Sequence, residues 1–296
     1  MATIYANTYT YKTAFAALKS GDTLILAAGN YGKLNMANKT FADTVTVKGG
    51  SFTGVALSNV SNLTLDGSII KLTPTLTSTQ NTQAVRVVQS DHITITNAKI
   101  SGGLAINGVP QTATALDSTG NVLGLPTGKG VNFENSQDCS INNSDITLFH
   151  KGVTFSDSTN IDISFNTIHD LRTSPITGSV LNGLNIEGNH TWTSHPWNFG
   201  GAGDHGDRIH ILTDHESAHN IVIKDNLLEQ GAGEAMLGVY LDDNGQNLGF
   251  HDVTITGNTI IEGTGQGVLL ENVYGTVSDN TLIWSGTGTA ANNTPR

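Results

Sequence analysis

The chain has 296 residues, a formal net charge of −11, 34 glycines, 13% charged residues and one cysteine. That balance argues against nucleic acid as a partner and makes any anionic ligand dependent on a locally basic site; a single cysteine allows neither a disulfide framework nor a cysteine-based zinc site. No run approaches the roughly 20 apolar residues of a membrane-spanning helix, the N-terminus lacks the basic-then-apolar order of a classical signal peptide, and the abundant Gly, Thr, Asn and Ser point to an all-β chain rich in turns.

Tyr11-Lys-Thr-Ala-Phe-Ala-Ala-Leu18 spaces its apolar residues as a helix does, and Thr23-Leu-Ile-Leu-Ala27 reads as a buried strand. The first 30 residues are therefore expected to form a helical cap, after which short strands alternate with Gly, Asn, Asp and Ser. These strands repeat as apolar-x-apolar-x-x-small-x-apolar, from Leu63-Thr-Leu-Asp-Gly-Ser-Ile-Ile70 to Val253-Thr-Ile-Thr-Gly-Asn-Thr-Ile260 and Gly275-Thr-Val-Ser-Asp-Asn-Thr-Leu282. The second apolar position falls at 65, 95, 141, 163, 186, 223, 255 and 277, in steps of 30, 46, 22, 23, 37, 32 and 22. A base period of about 22 without intervening helices means a β-solenoid. The small position holds Ser68, Ala98 and Ser144, then Asn166, Asn189, Asn226, Asn258 and Asn280, as expected of an inward-pointing asparagine ladder. Longer steps mark loops inserted at one corner, with residues 101–128, 190–206 and 229–236 expected to project as walls.

A second strand repeats as Ala84-Val-Arg-Val87, Gly130-Val-Asn-Phe133, Gly152-Val-Thr-Phe155, Pro175-Ile-Thr-Gly178, Arg208-Ile-His-Ile211, Gly238-Val-Tyr-Leu241 and Gly267-Val-Leu-Leu270. Its outward row is predicted to read Arg86, Asn132, Thr154, Thr177, His210, Tyr240, Leu269. The whole chain is thus expected to be one domain, a right-handed parallel β-helix over 1–296, with the cap over 1–30, coils over 31–285 and a tail over 286–296.

The chemistry-bearing stretch is Gly200 to Asp214, where Asp204, His205, Asp207, Arg208 and His210 lie within seven positions. Period-two alternation puts Arg208 and His210 on the face opposite Ile209 and Ile211. Arg86, Arg172 and Arg208, with Lys129 and Lys151, fall in or beside the second strand, so a protein of net charge −11 gathers cations on one face. A planar guanidinium suits a uronate carboxylate. Trp192, Trp197 and Phe199 are expected to line the same groove. The histidine spacings fit no zinc signature; Asp204, Asp207, Asp242 and Asp243 offer the oxygens that calcium takes, and no other cofactor is expected. Cys139 reads as a small buried apolar residue.

The helical plug, the coils of about 22 residues, the asparagine ladder and the charged mid-solenoid sheet resemble the pectin-lyase-like right-handed parallel β-helices, over roughly residues 10–285. Within these, the chain looks most like the catalytic modules of alginate epimerases and related lyases. The epimerase site strand carries Asp-Pro-His-Glu where this chain has Asp207-Arg-Ile-His210, so that tetrad is not carried over. Gly203-Asp-His-Gly-Asp-Arg-Ile209 also resembles the Gly-His-Gly and Arg-Ile-Lys elements of polygalacturonases, in a different order and spacing.

The resemblance implies a secreted enzyme on a uronate-containing polysaccharide such as alginate, acting by β-elimination or by C5 epimerisation through the same carbanion. Catalytic roles are expected for His210, Arg208, Tyr240, His205 and Asp207, with Arg172, Lys151, Lys129, Asp204, Asp242 and Trp197 binding substrate. Two other readings stay open: an inverting glycoside hydrolase using Asp204, Asp207 or Asp242, and a β-helix that binds glycan without catalysis, as an adhesin or phage spike does.

Overall fold

The computed structural model describes residues 1–73, 81–102, 128–194, 198–199, 202–203, 206–230, 237–262 and 267–285. Their strands coil into a parallel β-solenoid of three stacks. The front stack includes Gln83–Val88, Lys129–Glu134, Ile209–Leu212, Val239–Asp242 and Val268–Leu270. The second includes Asp91–Thr96, Gln137–Asn142, Ala218–Lys224, Phe250–Thr256 and Val273–Ser278. Long bent strands such as Lys151–Ser164 and Ile176–Glu187 serve both stacks and join them into one 16-stranded sheet. The third stack is a separate nine-stranded sheet running from Ser51–Phe52 to Thr281–Trp284.

In-register parallel pairing follows from the repeat. Val131, Val153, Ile176, Ile209, Val239 and Val268 align rung upon rung, as do Ile95, Ile141, Ile163, Ile186, Ile223 and Ile255 on the second stack. Most of these side chains are fully buried, and such alignment of β-branched residues suits a pleated wall facing a dry interior. Gly130 and Gly152, just ahead of the first apolar residue, stand where the front stack turns in against the third. A Cβ at Gly152 would lie 2.4 Å from Pro175 O and 2.7 Å from Ile168 Cγ2.

The asparagine ladder is present as the repeat predicts. Asn166 N, Asn189 N, Asn226 N and Asn258 N each donate to the Oδ1 of the next rung's asparagine at 2.9–3.0 Å. Each of these Nδ2 groups also reaches a backbone oxygen, that of Ile141, Ile163, Ile186 or Ile223. Ser144 continues the line, its N–H donating to Asn166 Oδ1. A second ladder, of Ser90, Ser136 and Ser158, closes the corner between front and second stacks, each N–H of the first two donating to the hydroxyl of the next rung.

The helix Tyr11–Ala16 is present, with Tyr11, Ala14 and Phe15 packed on the apolar core. In sequence, the stretches outside the described residues fall between a third-stack strand and the next front-stack strand or after Ser285, and the walls expected over 101–128 and 229–236 lie almost wholly among them, at 103–127 and 231–236. The expected wall over 190–206 needs correction: His190–Ser194 is a third-stack strand paired with Thr167–Leu171, because Thr191 continues the inward column of Ile168. Beyond it, Asn198–Phe199 pairs antiparallel with Ala202–Gly203. No helix among the described residues is long and apolar enough to cross a membrane.

Candidate functional site

Register places the outward row of the front stack as the alternation requires. Arg86, Asn132, Thr154, Thr177, His210, Tyr240 and Leu269 are successive partners. His210 and Tyr240 stack, their ring centroids 4.8 Å apart and their planes 8° from parallel. His210 Nε2 lies 3.3 Å from Asp242 Oδ2 and its Nδ1 lies 3.8 Å from Asp207 Oδ2. The Tyr240 hydroxyl donates to Glu271 Oε1 at 3.0 Å. Burial, the bond to Glu271 and the charges of Asp242 and Glu271 push its pKa well above the usual phenol value, so Tyr240 is a neutral donor at ordinary pH. Sequence reasoning missed Glu271 as a site residue, although its place just beyond the Gly267-Val-Leu-Leu270 strand is visible in the repeat.

A groove of about 260 Å³ adjoins this pair, lined among others by Lys129, Lys151, Asn132, Thr154, Thr177 and Leu212. Thr154 Oγ1 donates to Asn132 Oδ1 at 2.6 Å, and Lys129 Nζ donates to the same oxygen at 3.4 Å. Burial lowers the pKa of Lys129, with the charge of Glu134 opposing the shift. Buried His150 is held well below the ordinary imidazole value, by burial first and then by the charges of Arg172, Lys151 and Lys129. The groove end is thus locally positive in an acidic protein.

Arg208 contradicts the alternation argument. It is fully buried, and its Nη1 donates to Ser194 Oγ inside the solenoid. The strand begins only at Ile209; Arg208 belongs to the corner column of Pro175, Gly238 and Gly267, whose members precede the aligned Ile176, Val239 and Val268. Side chains there point in, and Arg208 fills space that glycine leaves elsewhere. Arg208 therefore does not stand on the outward row with His210. Arg172 is likewise 6% exposed, and Arg86 lies 3.8 Å from Glu134. The cationic character of the groove rests on lysines rather than on gathered arginines.

Asp207 is also buried, and its Oδ1 accepts from Leu237 N at 3.0 Å. Asp242 remains on the outward side beside His210. Buried Asp243 is structural: burial alone would raise its pKa, but bonds from Gly249 N, Asn272, Thr213 and Leu248 N outweigh burial and lower it. Asp204, His205 and Trp197 lie outside the described residues, as does the Phe199 side chain. Trp192 stands on the third stack, its ring 4.4 Å from those of His169 and His190, and does not line the groove beside His210. Cys139 is buried, its thiol pushed up to about 12 by burial.

Among the described residues, the side chains that converge as a cation site would are Asp157, Asp214 and His215. They include neither Asp207 nor Asp242.

A parallel β-solenoid with an outward histidine–tyrosine pair beside a basic groove belongs to the pectin-lyase-like class of folds. An alginate lyase from Paenibacillus sp. str. FPU-7 superposes with a TM-score of 0.61 at 14% identity, covering 97% of this chain and 98% of that one. The pectate lyase Pel9A gives 0.58 at 12% identity over 98% and 79% of the two chains. PfbA, a surface adhesin of Streptococcus pneumoniae, gives 0.52 at 11% over 90% and 80%. These likenesses establish the fold. No curated protein matches the sequence. Residues 107–294 match the family described as periplasmic copper-binding protein (NosD), and the chain belongs to that family.

Proposed function

We propose that the protein is an exported polysaccharide lyase that cleaves a uronate-containing polymer such as alginate by β-elimination, or inverts C5 through the same carbanion. The observation that carries this reading is the outward His210–Tyr240 stack, each ring held by its own carboxylate, at the end of a lysine-lined groove. Neutral His210 takes the C5 proton. The electron pair left behind forms the C4–C5 double bond as the C4–O bond breaks, and Tyr240 gives its proton to the leaving oxygen. With Arg208 buried, Lys151 and Lys129, on the strands two and three rungs from His210, give the groove the local positive field that draws an acidic chain toward the pair. The solenoid serves as a single domain with Tyr11–Ala16 as its end plug.

The family's description names copper, and among the described residues the donors do not fit copper(I). Copper(I) sites draw on thiolate and thioether ligands, whereas the converging group here pairs one imidazole with two carboxylates, a donor set open to several divalent ions. Cys139 is locked as a buried thiol, and Met36 packs in the core. No step is routed through copper.

The test is ultraviolet absorbance of the conjugated double bond on incubation with a panel of acidic polysaccharides, alongside a reducing-end assay. Elimination gives both signals. Reducing ends without a double bond would replace this reading with a hydrolase built on Asp242, and binding with neither product would leave a glycan-binding module.

A further inference from the structure

The groove beside the His210–Tyr240 pair runs along the solenoid axis. Its lining takes Asn132, Thr154, Thr177, Leu212 and Asn244 from five successive coils, of which four are the coil of His210 and those on its N-terminal side. Tyr240 stands one rung further toward the C-terminus, and among the described residues only Asn244 of the lining comes from its coil. Rungs of such a stack lie about 4.8 Å apart. A pyranose advances a 1,4-linked chain by about one rung spacing, so a polymer along this axis sets about one sugar on each coil.

The order of the two rings gives that polymer a direction. In β-elimination the sugar that loses its C5 proton is the one whose C4–O bond breaks, and that oxygen stays on C1 of the neighbouring sugar on the non-reducing side. His210 takes the proton, the electron pair left behind forms the C4–C5 double bond, and Tyr240 gives its proton to the departing oxygen. Tyr240 cannot exchange roles with His210, because burial, the bond to Glu271 and the charges of Asp242 and Glu271 keep its hydroxyl protonated. The departing oxygen therefore lies on the C-terminal side of the reacting sugar.

We propose that an acidic polymer lies along the front stack with its reducing end toward the Lys129 coil and its non-reducing end toward the Leu269 coil, so that the groove holds the sugar that becomes unsaturated and three sugars on its reducing side. The proposal rests on the elimination reading above and gives its site a polarity. The coils of His210, Thr177, Lys151 and Lys129 receive those four sugars in turn. Ring order and the run of the groove decide the direction, whatever the balance of charge between Lys129, Lys151 and Asp214 in the lining. After cleavage the fragment carrying the double bond remains across the four coils, and the fragment on the Tyr240 side leaves first.

Because elimination always leaves the double bond on the reducing-side fragment, the lengths of the first products read the direction without any label. Hexasaccharides of galacturonate, mannuronate and guluronate, made by acid hydrolysis so that both ends are saturated, are incubated with the wild-type protein, and the initial products are identified by mass spectrometry. Filling the four coils leaves four or five sugars on the reducing side of the broken bond. Unsaturated tetra- and pentasaccharide should therefore exceed shorter unsaturated products about tenfold, which needs roughly 1.4 kcal/mol of groove contact. An excess of unsaturated mono- and disaccharide, with saturated penta- and tetrasaccharide, would reverse the direction and overturn the proposal while keeping the lyase reading. Cleavage at the middle bond as often as elsewhere overturns it too. Reducing ends without a double bond, or no cleavage of any of the three, sinks the elimination reading and the direction with it.

Discussion

Two positions separate Arg208 from His210, yet one ends in the dry interior and the other at the groove. Replacing them should therefore have opposite consequences. His210→Ala should lower turnover by roughly 10²–10⁴-fold with the melting temperature nearly unchanged, since an outward residue supports little packing. Arg208→Ala should cost about 2–4 kcal/mol of stability by leaving a cavity and stripping Ser194 of a donor, read from the urea midpoint. Glu262 makes a third case. It is 1% exposed, its two carboxyl oxygens have no hydrogen-bond partner, and burial raises its pKa to about 7. Because the folded value lies above the unfolded one, the penalty is absent below the ordinary carboxylate range and is complete above about pH 7. Stability should thus fall as pH rises through that window. Glu262→Leu should abolish the slope and be more stable at pH 8 by a few kcal/mol, since each tenfold change in proton affinity is worth about 1.4 kcal/mol.

At the level of elements, the asparagine ladder is the part most exposed to single changes. Asn226 accepts from Asn189 N and Nδ2 and donates to Ile186 O and Asn258 Oδ1. Asn226→Leu orphans buried groups at about 1–3 kcal/mol each, and protection of the Asn189 amide from hydrogen exchange should drop with it. Gly152→Ala should destabilise comparably, because the added methyl meets the Pro175 carbonyl and the Ile168 side chain below contact distance. The asparagine column was legible because asparagine is distinctive at a fixed phase. The serine ladder of Ser90, Ser136 and Ser158 keeps spacings of 46 and 22, as the coils do, but it stops after three members, where Val180 is the partner of Ser158, so the phase does not stand out.

For the whole molecule, charge sets the approach of a polyanion. The net charge of −11 repels an acidic polymer at long range, while the lysine groove attracts it locally. Salt screens the long-range term first, since the Debye length is about 10 Å at 0.1 M. The association rate for acidic polysaccharide should therefore rise with added salt before it falls. A monotonic fall from the lowest ionic strength, measured by stopped flow, would show that the local field dominates throughout.

Periodicity carried the fold: a spacing near 22 and an in-phase asparagine suffice to dictate parallel rungs, and the outward row from Arg86 to Leu269 follows from period two once the register is set. What periodicity could not decide lies where strands end. Arg208 turns in because the corner column it joins faces the interior, and Trp192 leaves the groove because His190–Ser194 pairs within the third stack. The pairing of Tyr240 with Glu271 and of His210 with Asp242 likewise depends on residues about 30 apart in sequence. Local alternation determines the direction of a side chain within a strand; at a corner only the packing of the neighbouring stacks determines it.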